Sequence, residues 1–243
     1  MPTQHYRVQV SRIRDLTDDV REITLRPLDP PLIDFKAGQF ISFDVFKEGL
    51  QRPLVRPYSI ASPPSQRDIT LVLNLISGGP GSTYLFSLKE GDETRFTGPA
   101  GSFYLRDDVT RDLLLVATGT GIAPFRSMLI TLFERGVSRP VTLYWGLRNQ
   151  RDLYYQDELA SLARTHQNFV WITTLSRPED GWVGERGRVT RLVEERVSSV
   201  KDLAVYLCGN SGMIKDVTAI VRKKGLCPIY REKFYDDAGQ PDD

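Results

Sequence analysis

The sequence predicts a chain in two parts, an antiparallel β-sandwich or small barrel followed by an α/β unit on a parallel sheet. Three observations carry that prediction. Residues 1 to about 107 hold short alternating segments separated by Gly/Pro turns. Residues from about 108 to 243 alternate apolar runs with helical spacings. At the head of the second part, the apolar run 113–117 stops at Thr118-Gly119-Thr120-Gly121, and Ile122, Phe125, Met128 and Leu129 follow at helical spacing. Glycines at such a turn let backbone N–H groups approach a ligand. The helix N-terminus beyond adds unpaired donors and a partial positive charge, which suits phosphate. Pro124 falls in the first helical turn, where its missing N–H is not needed. Without a ligand, the same residues read as a tight strand-to-helix turn.

Composition bounds the rest. At 243 residues the chain has room for two domains of roughly 100–150 residues each. With 40% hydrophobic and 26% charged residues it reads as a globular protein. A net charge of +1 and the lack of a basic stripe argue against nucleic acid. Two cysteines, Cys208 and Cys227, cannot supply a disulfide framework or the four thiolates of an iron–sulfur cluster. His5 and His166 lie far apart with no carboxylate at metal-ligand spacing, so no metal is expected. The opening MPTQHYRVQV has no apolar signal core, and no apolar run reaches the ~20 residues of a membrane span. A cytoplasmic location is the simplest expectation.

In the first part, strands are predicted over 6–10, 20–25, 39–45 and 68–75, with a short helix over 82–88. Two stretches there carry chemistry. In Arg56-Pro57-Tyr58-Ser59-Ile60, an extended chain puts Arg56 and Tyr58 on one face. Arginine matches a diphosphate with its planar fork, and tyrosine offers a flat wall with a polar tip. In Gly78-Gly79-Pro80-Gly81-Ser82-Thr83, Ser82 is the expected N-cap, and the N–H groups after it favour an anion. A solvated edge strand and a simple capped helix are the plain alternatives.

In the second part, strands are predicted over 141–145, 169–174 and 204–208, with a last one from Ile229. Helices are predicted over 155–163, after Val189 and over 211–222. Ligands of such sheets sit at the carboxyl ends of the strands, where Thr118, Gly146, Thr174 and Gly209 all fall. Cys208, at the end of a buried run, reads as core on its own.

Taken in order, Arg56-Pro57-Tyr58-Ser59, Gly81-Ser82-Thr83, Gly119-Thr120-Gly121-Ile122-Ala123-Pro124, Cys208-Gly209-Asn210 and Glu232-Lys233-Phe234 resemble the ferredoxin–NADP⁺ reductase superfamily in its stand-alone form, without an iron–sulfur domain. The resemblance covers almost the whole chain. It implies an FAD-binding β-barrel over 1–107 and an NAD(P)-binding α/β domain over 108–243. Arg56 would bind the FAD diphosphate with Gly81, Ser82 and Thr83. Tyr58 would stack on the isoalloxazine next to Pro57, and Ser59 would hydrogen-bond near flavin N5. Leu73, Leu75 and Ile76 align with the strand that runs along the flavin. Thr118, Gly119, Thr120 and Gly121 would hold the pyridine nucleotide with Gly209 and Asn210. Cys208 would lie beside the nicotinamide in a packing role, and Glu232 would assist proton transfer or nicotinamide placement. Phe234 or Tyr235 would cover the flavin only in part, since the chain runs on through an acidic tail, 236–243.

The resemblance also bears on the nucleotide. A 2′-phosphate needs cationic donors, whereas a free ribose diol is usually read by a carboxylate. Arg148, Ser176, Arg177 and Arg186, with Arg188 beyond, resemble the phosphate clamp of NADP-dependent relatives; Asp152 stands near enough to serve a ribose. The balance favours NADPH, with NADH as the alternative. The implied activity passes hydride to FAD and then electrons to a separate acceptor such as a ferredoxin, a flavodoxin or an oxygenase component. A free-flavin reductase is one competing reading. A non-catalytic subunit that senses flavin or nucleotide is another.

Overall fold

A computed structural model describes residues 4–46, 49, 51–107 and 110–235, with the side chain of Tyr235 and the acidic tail outside the described set. By its contacts the chain forms two compact units, one of residues 1–105 with 123–135, the other of 106–122 with 136–243.

The first unit is an antiparallel sheet of β1 (His5–Asp15), β2 (Val20–Asp29), β3 (Phe40–Val45), β4 (Leu54–Ser59), β5 (Ile69–Asn74) and β6 (Glu93–Ala100), in the order β4-β3-β6-β1-β2-β5. A bridge between Ile60 and Leu71 brings the two ends of the sheet together, so the barrel is the form realised. Period-two alternation sends Val8, Ile23, Leu25, Ile41, Phe43 and Phe96 inward, where they form one core. Helix α1 (Pro80–Ser87) contributes Leu85 to that core.

Strand β6 is absent from the sequence reading, although it lies between β3 and β1. Its residues ETRFTGPA hold a single large apolar side chain and a Gly-Pro step, so no apolar run announces it.

The second unit is a parallel sheet of β7 (Asp112–Thr118), β8 (Val141–Leu147), β9 (Phe169–Leu175), β10 (Glu185–Arg186), β11 (Leu203–Asn210) and β12 (Ile229–Tyr235), in the order β10-β9-β8-β7-β11-β12. The helices that follow β7 in sequence are α2 (Ile122–Glu134), α3 (Gln156–Thr165), α4 (Val189–Arg196) and α5 (Ser211–Lys224), of which α3, α4 and α5 belong to this unit. Leu114 and Val116 of β7 and Val205 and Leu207 of β11 pack with Val189, Leu192 and Val193 of α4 and Val217 and Val221 of α5. The chain runs outward from β7 to β10, then returns to the far side of β7 with β11 and β12. That reversal makes a switch point between β7 and β11, where open α/β sheets take their ligands.

Helix α2 follows β7 in sequence, yet residues 123–135 cluster with the barrel. Ser127 Oγ donates to Ser62 O at 2.7 Å, and Arg126 Nη1 donates to Ala61 O at 3.0 Å. Phe125 packs on Phe103 with ring centroids 5.9 Å apart. Helical spacing defines a buried face but does not say which unit covers it.

Candidate functional site

The barrel site begins with β4. Its antiparallel register opposite β3 sets Arg56 against Phe43 and Tyr58 against Ile41. Arg56 and Tyr58 are half-buried on one face, while Val55 and Pro57 are exposed and Ser59 is buried. Tyr58 stands edge-on to Phe43 at 6.0 Å.

The first turn of α1 lies against these two side chains. A Cβ on Gly81 would come within 2.5 Å of Tyr58 Oη and 2.8 Å of Arg56 Cγ, so any larger residue there would have to displace these two side chains. The N-cap is Gly79, Pro80 occupies the first turn, and no side chain caps the helix. Uncapped amides beside an arginine side chain form a donor set that fits a diphosphate.

Ser82 differs from the expectation. Pro80 starts the helix two residues earlier than predicted, which leaves Ser82 inside the first turn. Its Oγ accepts from Ile76 N at 3.0 Å and donates to Gly79 O at 3.1 Å, tying the preceding loop to the helix instead of capping it. Thr83 N closes the first helical bond to Gly79 O, and the Thr83 side chain is exposed.

Leu73 points into the barrel core. Leu75 and Ile76 fall just past the end of β5 and remain 43% and 38% exposed, which leaves an open apolar surface there.

In the second unit, Thr118, Gly146 and Thr174 stand in register across β7, β8 and β9, at the carboxyl ends. A 3₁₀ turn, Gly119–Gly121, follows Thr118, and Gly119 takes φ +52°. Trp145 Nε1 donates to Gly119 O at 2.9 Å. The sequence reading passed over Trp145 as a strand residue; a lone indole at a strand's carboxyl end, beside a glycine turn, was the available signal.

At the switch point the two chain reversals meet backbone to backbone. A Cβ on Gly121 would lie 2.7 Å from Cys208 C, and one on Gly209 would lie 2.9 Å from Thr118 O. Gly209 also holds φ +134°, a region that side chains avoid. Thr118 Oγ1 accepts from Asn210 N at 2.9 Å. The Asn210 side chain accepts from Met213 N at 3.1 Å, which makes it the N-cap of α5.

Cys208 is fully buried and stands in register with Ala117 on one side and Glu232 on the other. Burial first, then the Glu232 carboxylate, pushes the Cys208 thiol well above its ordinary pKa. A neutral thiol suits packing and not nucleophilic attack. Glu232 is half-buried.

Arg148 and Arg177 end up together, because Ser176 N bonds Leu147 O at 3.0 Å and Arg177 N bonds Arg148 O at 2.8 Å. Both arginines and Ser176 are exposed. Arg186 sits one strand further out on β10, where its Nη2 donates to Trp182 O at 2.9 Å. Asp152 is turned to a local task, accepting from Asn149 N at 2.8 Å in a capping box.

The chain's residues 7–104 match the family model described as an oxidoreductase FAD-binding domain, and residues 115–219 match that of an oxidoreductase NAD-binding domain. Among curated proteins, the toluate 1,2-dioxygenase electron transfer component of Pseudomonas putida is 31% identical, the match covering 94% of this chain and 67% of that protein. The phenol 2-monooxygenase reductase component of Pseudomonas sp. (strain CF600) is 32% identical, covering 98% and 69%. Among solved structures, the Amycolatopsis cytochrome P450 reductase GcoB superposes with a TM-score of 0.86 at 29% identity, covering 96% of this chain and 70% of that one. A Neisseria gonorrhoeae ferredoxin NADP⁺ reductase shares the fold, with a TM-score of 0.79 at 22% identity over 96% and 99% of the two chains. With both family models matched in turn along the chain and a reductase component 32% identical over nearly all of it, the chain belongs to the ferredoxin–NADP⁺ reductase superfamily, as an oxidoreductase with an FAD-binding domain and an NAD(P)-binding domain.

Proposed function

We propose that this protein is the reductase of a multicomponent electron-transfer system in the cytoplasm, taking hydride from NADPH onto FAD and delivering electrons to a separate acceptor protein. The relatives named as reductase or electron transfer components of oxygenases support that reading. The acceptor would be a ferredoxin, a flavodoxin or an oxygenase component. Bound FAD supplies the step-down from a two-electron donor to a one-electron acceptor.

The chain's own residues have distinct tasks in this reading, with 1–107 serving the flavin and 108–243 the nucleotide. Arg56 and the first-turn amides at Gly81, Ser82 and Thr83 bind the flavin diphosphate. Tyr58, flanked by Pro57, would give the ring system its wall, Leu75 and Ile76 would line its path with only the backbone of Leu73, whose side chain is in the core, and Ser59 would offer a hydroxyl near N5. Thr118, Gly119, Thr120 and Gly121 bind the nucleotide diphosphate, with Gly209 and Asn210 completing the turn. Cys208 packs beside the nicotinamide as a neutral thiol. Glu232 orients that ring or holds a proton. Arg148, Ser176 and Arg177 read the 2′-phosphate, with Arg186 at its outer side.

The observation that carries the flavin assignment is the collision a Cβ on Gly81 would have with Arg56 and Tyr58, which sets the first turn of α1 against the Tyr58 hydroxyl and the stem of the Arg56 side chain. Such a clamp favours FAD held as a resident group over flavin as a passing substrate. The exposed Arg148, Ser176 and Arg177, held side by side, favour NADPH over NADH, because a 2′-phosphate takes cationic and hydroxyl donors. Comparing kcat/KM for the two nucleotides tests the last point. Arg148→Ala with Arg177→Ala is expected to raise KM for NADPH by about tenfold and leave NADH unchanged. Equal losses for both nucleotides would remove the 2′-phosphate assignment and leave the family untouched.

A further inference from the structure

The parallel ladder of β8 and β9 does not stop at its last paired residues, Leu147 and Leu175. Ser176 N donates to Leu147 O at 3.0 Å and Arg177 N to Arg148 O at 2.8 Å, so the two chains stay zipped beyond the sheet. They then take different courses. One enters the 3₁₀ turn Gln150–Asp152, and the other begins the segment that leads to β10. Here a side chain takes over from the backbone. Gln150 Oε1 accepts from Glu179 N at 2.8 Å, and Gln150 Nε2 donates to Glu179 O at 3.3 Å. An amide carries an acceptor and a donor at once and so copies a strand's peptide unit, whereas a carboxylate lacks the donor and an ammonium the acceptor.

Both ends of this clasp are themselves held. The capping box of Asn149 and Asp152 fixes the turn that carries Gln150, and Leu153 N closes it on Gln150 O at 3.1 Å. Glu179 O also accepts from Trp182 N at 3.4 Å, and Arg186 Nη2 donates to Trp182 O, so the clasp reaches on toward Arg186. Between the fastenings at Arg177 N and Glu179 N lies only Pro178, whose ring fixes its φ. Arg177 is thus pinned on both sides, next to Arg148.

Like charges at adjacent strand ends repel, whereas a 2′-phosphate needs them together. We infer that Gln150 is a positioning residue for nucleotide choice, an inference that rests on the NADPH reading above. It touches no ligand; it holds Arg177 beside Arg148 so that a 2′-phosphate meets both. The cost of bringing the two cations together then falls on folding and not on binding. A nucleotide with a free 2′-hydroxyl draws no benefit from the clasp.

The test measures NADP⁺ and NAD⁺ binding to the purified full chain by calorimetry. The parent is expected to bind NADP⁺ at least about tenfold more tightly than NAD⁺. Gln150→Met keeps the length of the side chain and removes both hydrogen bonds. It is expected to weaken NADP⁺ by about fivefold and leave NAD⁺ unchanged, which also shows that the variant folds. In an Arg177→Ala background the same substitution is expected to add nothing, because the residue it positions is gone. Equal losses for the two nucleotides overturn the inference, leaving Gln150 a merely structural residue. A loss for NADP⁺ that persists in full in the Arg177→Ala background also overturns it, since Gln150 then acts on the ligand or on another group. A parent with no preference for NADP⁺ overturns the 2′-phosphate reading and this inference with it. A parent that prefers NADP⁺ and a Gln150→Met variant that keeps the whole preference overturn this inference alone.

Discussion

The two glycine turns of this protein look alike in sequence and differ in what surrounds them. Gly79-Pro80-Gly81 in the barrel and Gly119-Thr120-Gly121 in the parallel sheet each open a helix with proline in or near its first turn. Around Gly81 the neighbours are side chains, those of Arg56 and Tyr58, which can rotate away. Around Gly121 the neighbours are backbone atoms of Cys208 and Gly209, and around Gly209 they are the backbone of Thr118 together with its hydroxyl, and backbone cannot rotate away. The first turn is shaped by the groups that would touch the ligand, the second by the sheet's own crossing. Glycine in the second is therefore a condition of folding, and in the first, on the proposed reading, a condition of binding.

The largest effect should come from adding a methyl at the crossing. Gly209→Ala combines φ +134° with contact on Thr118, and about 4 kcal/mol of stability should be lost in denaturant unfolding. Gly121→Ala, with backbone contact alone, should lose about 2–3 kcal/mol. Gly81→Ala should lose only about 1 kcal/mol while weakening FAD by about tenfold or more. Equal stability losses at Gly81 and Gly121 would erase the distinction between the two turns.

A smaller effect sharpens the view of the sheet unit. Tyr206 is buried, and its Oη accepts from Arg106 N at 3.1 Å. Burial pushes its pKa from 10.0 up to about 12. Because the folded state holds the proton longer than the unfolded chain does, this contribution is complete below about pH 10 and is lost as pH rises toward 12. Tyr206→Phe should cost about 1 kcal/mol at neutral pH and flatten the alkaline loss, measured by unfolding at stepped pH. Trp145→Phe, which removes the donor to Gly119 O, should cost about 1 kcal/mol and raise KM for NADPH. An unchanged KM would separate Trp145 from the nucleotide turn.

Much of this was readable in the sequence, for reasons visible in particular residues. The alternation at Arg56 and Tyr58 writes their shared face directly, because strand side chains have a period of two. The run before Gly119 announced β7, since a strand buried on both faces is apolar throughout. What escaped depends on neighbours distant in sequence. Strand β6 is held by β1 and β3 on its two sides, which compensates for a composition that signals nothing locally. The attachment of α2 to the barrel rests on Ser127 and Arg126 reaching carbonyls 65 positions away. Ser82 followed the rule for caps, but Pro80 with its fixed φ set the helix start first.

The most direct test of the account is anaerobic mixing of the FAD-loaded protein with NADPH while the flavin absorbance is followed. Prompt bleaching of the yellow band, faster with NADPH than with NADH, is the predicted result. A band that neither nucleotide bleaches would contradict the account and leave a protein that binds flavin without reducing it.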